Sequence, residues 1–150
     1  MSVTSGNKPL NAIWRSDPNA PTQGDTFAAV IRAVEGKRSM FYWAMSGGNP
    51  EENDAYGIYL NPVENTISLI VEMDGNQSTV ASDSPQLSSG DYDIEIEWSN
   101  TSPEFTVMTY EWDAIKETRG NQMSQFTGSD SIHSSGDIGF SDDLDGNSAT

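Results

Sequence analysis

Asp91, Asp93, Glu95 and Glu97 occupy alternate positions of the stretch Asp91-Tyr92-Asp93-Ile94-Glu95-Ile96-Glu97-Trp98. Residues two apart share one face of a β-strand. The spacing therefore lines up the acids on one face and sets Tyr92, Ile94, Ile96 and Trp98 on the other, the pattern of a strand with one side buried and one side wet. In a helix the same apolar groups would be scattered round the whole circumference. Asp93, Glu95 and Glu97 could be a catalytic row, or the solvated surface of a half-buried strand.

Three other groups of residues could carry chemistry. Asp142, Asp143 and Asp145, followed by Gly146, suggest a calcium loop. A full loop of that kind needs acids at positions 1, 3 and 5, glycine at 6 and glutamate at 12. With Gly146 sixth, position 1 is Ser141 and position 12 lies beyond Thr150, so the match is partial and a solvated acidic tail competes with it. His133, the only histidine, sits among serines and reads as polar surface, because a proton relay or a zinc site needs partners in space. Tyr42, Trp43, Tyr59, Tyr110 and Trp112 could form an aromatic platform for sugar stacking. Core packing competes for them. Trp43, Tyr59 and Trp112 are taken as the ligand-binding candidates, and Tyr59 and Trp112 are the better placed for exposure.

Charge narrows the partners. The chain has 150 residues, 23 acids against 7 bases and a formal net charge of −16, which repels nucleic acid and anionic membranes. Strong acidity often means disorder, but four tryptophans and periodic β-branched runs argue for a folded core. Scarce lysine, abundant acids and no cysteine fit a protein adapted to high salt, where ions screen self-repulsion. No cysteine also means no disulfide framework and no thiolate metal site. No apolar run approaches a membrane span, and the first residues show no secretory signal.

The elements that must position these residues are strands. Residues 1–23 read as an arm with a short edge strand near Leu10 to Trp14 and a turn-rich loop. Asp25 to Ala33 is a strand apolar on both faces, and so expected to be covered on both. Strands follow at Ser39 to Ser46, Ala55 to Asn61 and Thr66 to Met73. Asp74-Gly75 signals a hairpin returning through Ser78 to Ser82. After the acid-row strand, Phe105 to Trp112 alternates again and is expected to pair antiparallel with it. A turn near Asp113 and a strand near Met123 to Phe126 compete with a short helix from Asp113 to Arg119. Asp137 to Phe140 is the last strand, and 141–150 is an acidic tail or the start of a missing last strand. Nine or ten short strands at regular spacing make an all-β sandwich or jelly roll.

The order of these blocks resembles the concanavalin A-like lectin/glucanase superfamily, in particular laminin-G-like domains of haloarchaeal type. The resemblance rests on Gly24-Asp25-Thr26-Phe27, Tyr56-Gly57-Ile58-Tyr59-Leu60, Ile67-Ser68-Leu69, Leu87 to Trp98, Phe105 to Tyr110 and Ser134 to Phe140, and it covers about residues 24–140. It implies a jelly roll of two antiparallel sheets, one concave, in a family whose members mostly bind sugars or proteins. Such domains usually finish with one more strand pairing near the first. Its apparent lack here implies a piece of a longer protein, or an edge completed by a neighbour.

Laminarinase-like members of the superfamily carry Glu-x-Asp-x-Glu on one strand. Here the row is Asp93-x-Glu95-x-Glu97, and the shorter first carboxylate would spoil the ~5–5.5 Å pairing of a retaining glycosidase. The resulting expectation is a non-catalytic binding or assembly module without a cofactor, calcium being the one ion its tail could take. We expect a virion component of a haloarchaeal virus (turret, spike or tail-fibre subunit), homo-oligomeric or joined to other virion subunits. It would contact host surface glycans or glycoproteins outside the cell at high salt. A glucanase-like hydrolase using Glu95 and Glu97, or an adhesion domain of a haloarchaeal cell-surface protein, are the alternatives.

Overall fold

The computed structural model describes residues 3–4, 11–15, 19–46, 54–74 and 76–143, with backbone alone for 3–4, 11–15 and 141–143. Eleven strands follow one another: β1 (Val3–Thr4), β2 (Asn11–Arg15), β3 (Thr26–Ala33), β4 (Arg38–Met45), β5 (Ala55–Asn61), β6 (Thr66–Met73), β7 (Asn76–Asp83), β8 (Gly90–Trp98), β9 (Phe105–Asp113), β10 (Thr118–Gly128) and β11 (Asp137–Asp143). No helix occurs among the described residues. Every pairing between neighbouring strands is antiparallel. The strands form a seven-stranded sheet, β1-β2-β11-β4-β5-β6-β7, and a four-stranded sheet, β10-β9-β8-β3. The two sheets make a jelly-roll sandwich.

Alternation decides which side chains fill the gap between them. On β8, Tyr92, Ile94, Ile96 and Trp98 are 0–3% exposed. From the facing sheet, Phe41, Trp43, Tyr56, Ile58, Leu60, Ile67 and Leu69 join the same core. Its centre is aromatic. Tyr56 meets Phe105 edge-on at 4.8 Å, Trp98 stacks on Phe105 at 5.9 Å, and Trp43 lies edge-on to Trp98 at 6.5 Å. Each such side chain withdrawn from water stabilises the fold by about 1.5–3 kcal/mol.

The rim of the core is pinned by Tyr56. Its hydroxyl donates to Asp130 Oδ1 at 2.6 Å and accepts from the His133 backbone N–H at 3.1 Å. The His133 ring lies edge-on to it at 4.9 Å, with Nε2 3.1 Å from the Glu72 carbonyl oxygen. His133 is therefore half-buried against the end of the core rather than a plain surface residue. In the same connection Gly136 has φ +153°, and a Cβ there would lie 2.5 Å from the backbone of Ala44 and Met45. Only glycine fits so close an approach.

Several expectations change. β3 is covered on one face only: Ile31 is buried, while Val30, on the other face, is 45% exposed. Its outer side chains, Thr26, Ala28, Val30 and Arg32, are all exposed. β2 is an internal strand between β1 and β11 rather than part of an arm. β11 runs to Asp143, beyond the expected end at Phe140, and pairs with both β2 and β4. Residues 114–117 form a turn, which excludes the helix from Asp113 to Arg119, and β10 is longer than the expected strand at Met123 to Phe126.

Candidate functional site

The acid row lies where its spacing puts it, on the outer face of the four-stranded sheet, but most of it is engaged. Arg32 of β3, paired in register with Asp91, donates from Nε to Oδ1 at 2.8 Å and from Nη2 to Oδ2 at 3.2 Å. These bonds hold the Asp91 carboxyl below its usual range. Arg119 of β10 reaches across β9 and donates from Nε to Asp93 Oδ2 at 2.7 Å and from Nη2 to Glu95 Oε2 at 3.0 Å. Its guanidinium carbon lies 4.1 Å from the centroid of the Tyr110 ring. Asp93 is only 7% exposed. Two arginines thus clamp three of the four acids, and of the four only Glu97 is exposed. Asp93 and Glu95 act as structural ion-pair partners in this arrangement.

The aromatic candidates do not converge. Trp43 is fully buried and touches Phe27, Phe41, Tyr56, Trp98 and Phe105. It is core and cannot meet a ligand, because its place on β4 turns it into the gap between the sheets. Tyr59 lies on the opposite, outer face of the seven-stranded sheet, only 9% exposed, with the Arg38 guanidinium 5.2 Å from its ring centroid. Trp112 is half-buried on the outer face of the other sheet, beside a concavity of about 590 Å³ that it shares with Asp91, Glu111, Asp113 and Ile115. Asp142 and Asp143 have strand backbone paired to Asn11, Ser39 and Arg38, not the curved backbone of a calcium loop, and Asp145 lies outside the described residues. Among the described residues no group of three or more acids or histidines could hold a metal ion.

What the chain does build is a groove over β4 to β7. The outward residues of these strands are Arg38 on β4, Tyr59 and Asn61 on β5, Thr66, Ser68 and Ile70 on β6, and Gln77 and Thr79 on β7, and registers such as Met40↔Tyr59↔Ser68↔Ser82 and Ile70↔Thr79 bring them onto one face. The groove is about 400 Å³ and is rimmed by Gly36, Val63 and Glu64 from the two connecting turns. Asn61 Oδ1 fixes the second turn by accepting from the Val63 and Glu64 N–H groups at 3.1 and 3.2 Å. On the same face is an apolar cluster of Met40, Tyr42, Met45, Ala55, Tyr59 and Ile70, two of which, Tyr59 and Ile70, also line the groove. The Tyr42 ring crosses Gly57 so closely that a Cβ there would stand 2.9 Å from it.

The groove can therefore offer hydroxyls that both give and accept (Thr66, Ser68, Thr79), an amide of each polarity (Gln77), a guanidinium (Arg38) and a carboxylate (Glu64). Sequence reasoning missed all of these but Tyr59. They come from four strands and one turn, and singly each is an ordinary surface residue.

No protein-family model matches the chain, and no curated protein matches it either. Among solved structures it is similar to the carbohydrate-binding module CBM66 from Bacillus subtilis, with 12% identity over 91% of this chain and 75% of that one and a TM-score of 0.61. At that identity the likeness is one of fold, and it identifies the two-sheet arrangement described above as a jelly-roll sandwich.

Proposed function

We propose that this chain is a non-catalytic glycan-binding module whose site is the groove over β4 to β7. The observation that carries this reading is the lining. A sugar presents closely spaced hydroxyls that need donors and acceptors together, and the groove supplies both from a rigid sheet. Its volume of about 400 Å³ is within the range of small-ligand sites. The likeness in fold to a module described as carbohydrate-binding supports the same reading. A hydrolase built on Glu95 and Glu97 is disfavoured, because Glu95 is bonded to Arg119.

The setting we propose is extracellular and saline: a surface subunit of a haloarchaeal virus, homo-oligomeric or joined to other virion subunits, contacting host glycans or glycoproteins. The net charge of −16 supports high salt. Light scattering in 2 M salt tests the oligomer, and a monomer there removes the assembly part of the proposal.

Affinity electrophoresis against a panel of soluble polysaccharides tests the site. We expect at least one to retard the protein. The double variant Gln77→Ala/Thr79→Ala, on the exposed strand β7, should weaken that binding about tenfold, the loss of two hydrogen bonds of ~0.5–1.5 kcal/mol each. Retardation by none, or an unaltered double variant, rules the groove out.

A further inference from the structure

We infer that the ligand is a long glycan chain, which lies in the groove over β4 to β7 and continues round one end of the sandwich to the concavity beside Trp112; this rests on the glycan-binding reading above. Antiparallel pairing brings four connections to that end: the β3–β4 turn, the β5–β6 turn, the stretch between β7 and β8, and the β9–β10 turn. The groove reaches it at Gly36 and Val63. Their neighbours in the chain, Glu35 and Pro62, line a hollow of about 260 Å³ together with Leu87, Ser88 and Ser89. Ser88 and Ser89 in turn line the concavity of about 590 Å³ that holds Trp112 and Ile115. Three hollows thus adjoin in series. They lead from the outer face of one sheet over the end of the core to the outer face of the other, across a sheet separation of about 10 Å.

Bonds between the connections hold this track in shape. The Glu35 N–H donates to Ser89 Oγ at 2.9 Å, and the Leu87 N–H to Asn65 Oδ1 at 3.0 Å. The Tyr92 hydroxyl accepts from the Ser88 N–H at 3.1 Å and donates to the Ser88 carbonyl oxygen at 2.9 Å. The stretch before β8 is therefore tied to both neighbouring turns and to the core. Along the track lie the two kinds of group that a sugar ring needs. Ser88 and Ser89, both exposed, offer hydroxyls. Val63, 62% exposed, Ile115, 95% exposed, and Trp112 offer apolar faces. Trp112 is the far anchor: among the described residues its indole N–H donates to no protein group. The acids around it are already engaged, Asp91 by Arg32, Asp113 by the N–H groups of Ile115 and Lys116, and Glu111 by Asn121. The groove itself has one aromatic residue, Tyr59, and that is only 9% exposed, so the ring for a sugar to stack on lies at the other end of the track. A chain held in the groove makes its contact with Trp112 within a complex already formed, and so gains affinity from both ends.

The test is calorimetry with fragments of about two to about twelve sugar units, made by partial hydrolysis of the panel polysaccharide that most retards the protein. For the parent, affinity should rise at least about tenfold from the shortest to the longest fragment, with one long fragment bound per protein. Trp112→Ala should abolish that rise and leave the shortest fragments bound within about twofold. Ser88→Trp, at an exposed position in the middle hollow, should do the same by blocking the path, and it keeps the test open if Trp112→Ala does not fold. Affinity that is flat with length overturns the inference while the glycan-binding reading survives. So does a rise that persists in Ser88→Trp, or two long fragments bound per protein, which would make the groove and the concavity separate sites. Binding of no fragment and no polysaccharide by the parent overturns the reading itself, and this inference with it.

Discussion

Tyr56 shows how much one hydroxyl can organise. It is buried among the rings of Trp43, Trp98 and Phe105, yet its oxygen joins Asp130 and His133 and so ties the connection before β11 to the core. Burial, and then the bond to Asp130, push its pKa above the ordinary tyrosine range. Tyr56→Phe should cost about 1–3 kcal/mol in urea unfolding at pH 7, since it removes both bonds inside the protein. The folded phenol keeps its proton where the unfolded one loses it, so the stability Tyr56 supplies is complete below about pH 10 and falls as pH rises past that value. The difference between parent and variant should accordingly narrow between pH 9 and 11, and a constant difference refutes this account. Asp91 behaves in the opposite sense. Its carboxyl is depressed by Arg32, so its contribution is present above about pH 3.9, the unfolded value, and is lost as acid titrates the folded group. Asp91→Asn should be slightly less stable than the parent at pH 7 and indistinguishable from it near pH 2.

At the scale of elements, the strands obey their alternation wherever one face is dry. β8 is the clearest case: the apolar residues read as inward are inward, and the acids are outward. The hairpin at Asp74 was equally legible, and Asp74 takes the positive φ of 51° that such a turn requires. β3 misled because apolar residues on two faces look the same whether both are covered or one, with Ala28 and Val30, lies on the exposed outer face of the sheet. Trp43 misled because the Phe41-Tyr42-Trp43 run puts large rings on both faces of β4, and only the pairing with β5 and β11 says which face meets the other sheet. Arg119 could not have been matched to Asp93 and Glu95 from sequence, since its approach depends on register shifts in β10 between Arg119 and Ser124. Gly57 gives the test at this scale. Its neighbours in the apolar cluster on the groove's face are the Tyr42 ring at 2.9–3.0 Å and Ile70 at 3.1 Å from a built Cβ. Gly57→Ala should destabilise by about 1–3 kcal/mol through overpacking. It should also alter the near-ultraviolet circular dichroism of the tyrosines, whereas a full-strength variant would mean that the layer is loose.

Among the described residues most acids lie on the surface and most rings lie between the sheets, and the charge of the chain makes its stability depend on the medium. With a net charge of −16, raising NaCl from 0.1 to 2 M should raise the melting temperature, by about 4 °C for each 1 kcal/mol of repulsion screened in a domain of this length. Calorimetry at both salt levels checks it, and a flat or falling midpoint would remove the argument for a saline habitat. The placing of β11 has a consequence in time rather than in energy. Among the described residues ten strands precede it in order of synthesis, yet it is the piece that joins β1-β2 to β4-β5-β6-β7. Until the ribosome has released that segment, the nascent chain holds two unfinished half-sheets with raw edges, so completion is a late, non-local and slow event. The window for misassembly between neighbouring nascent chains stays open until then.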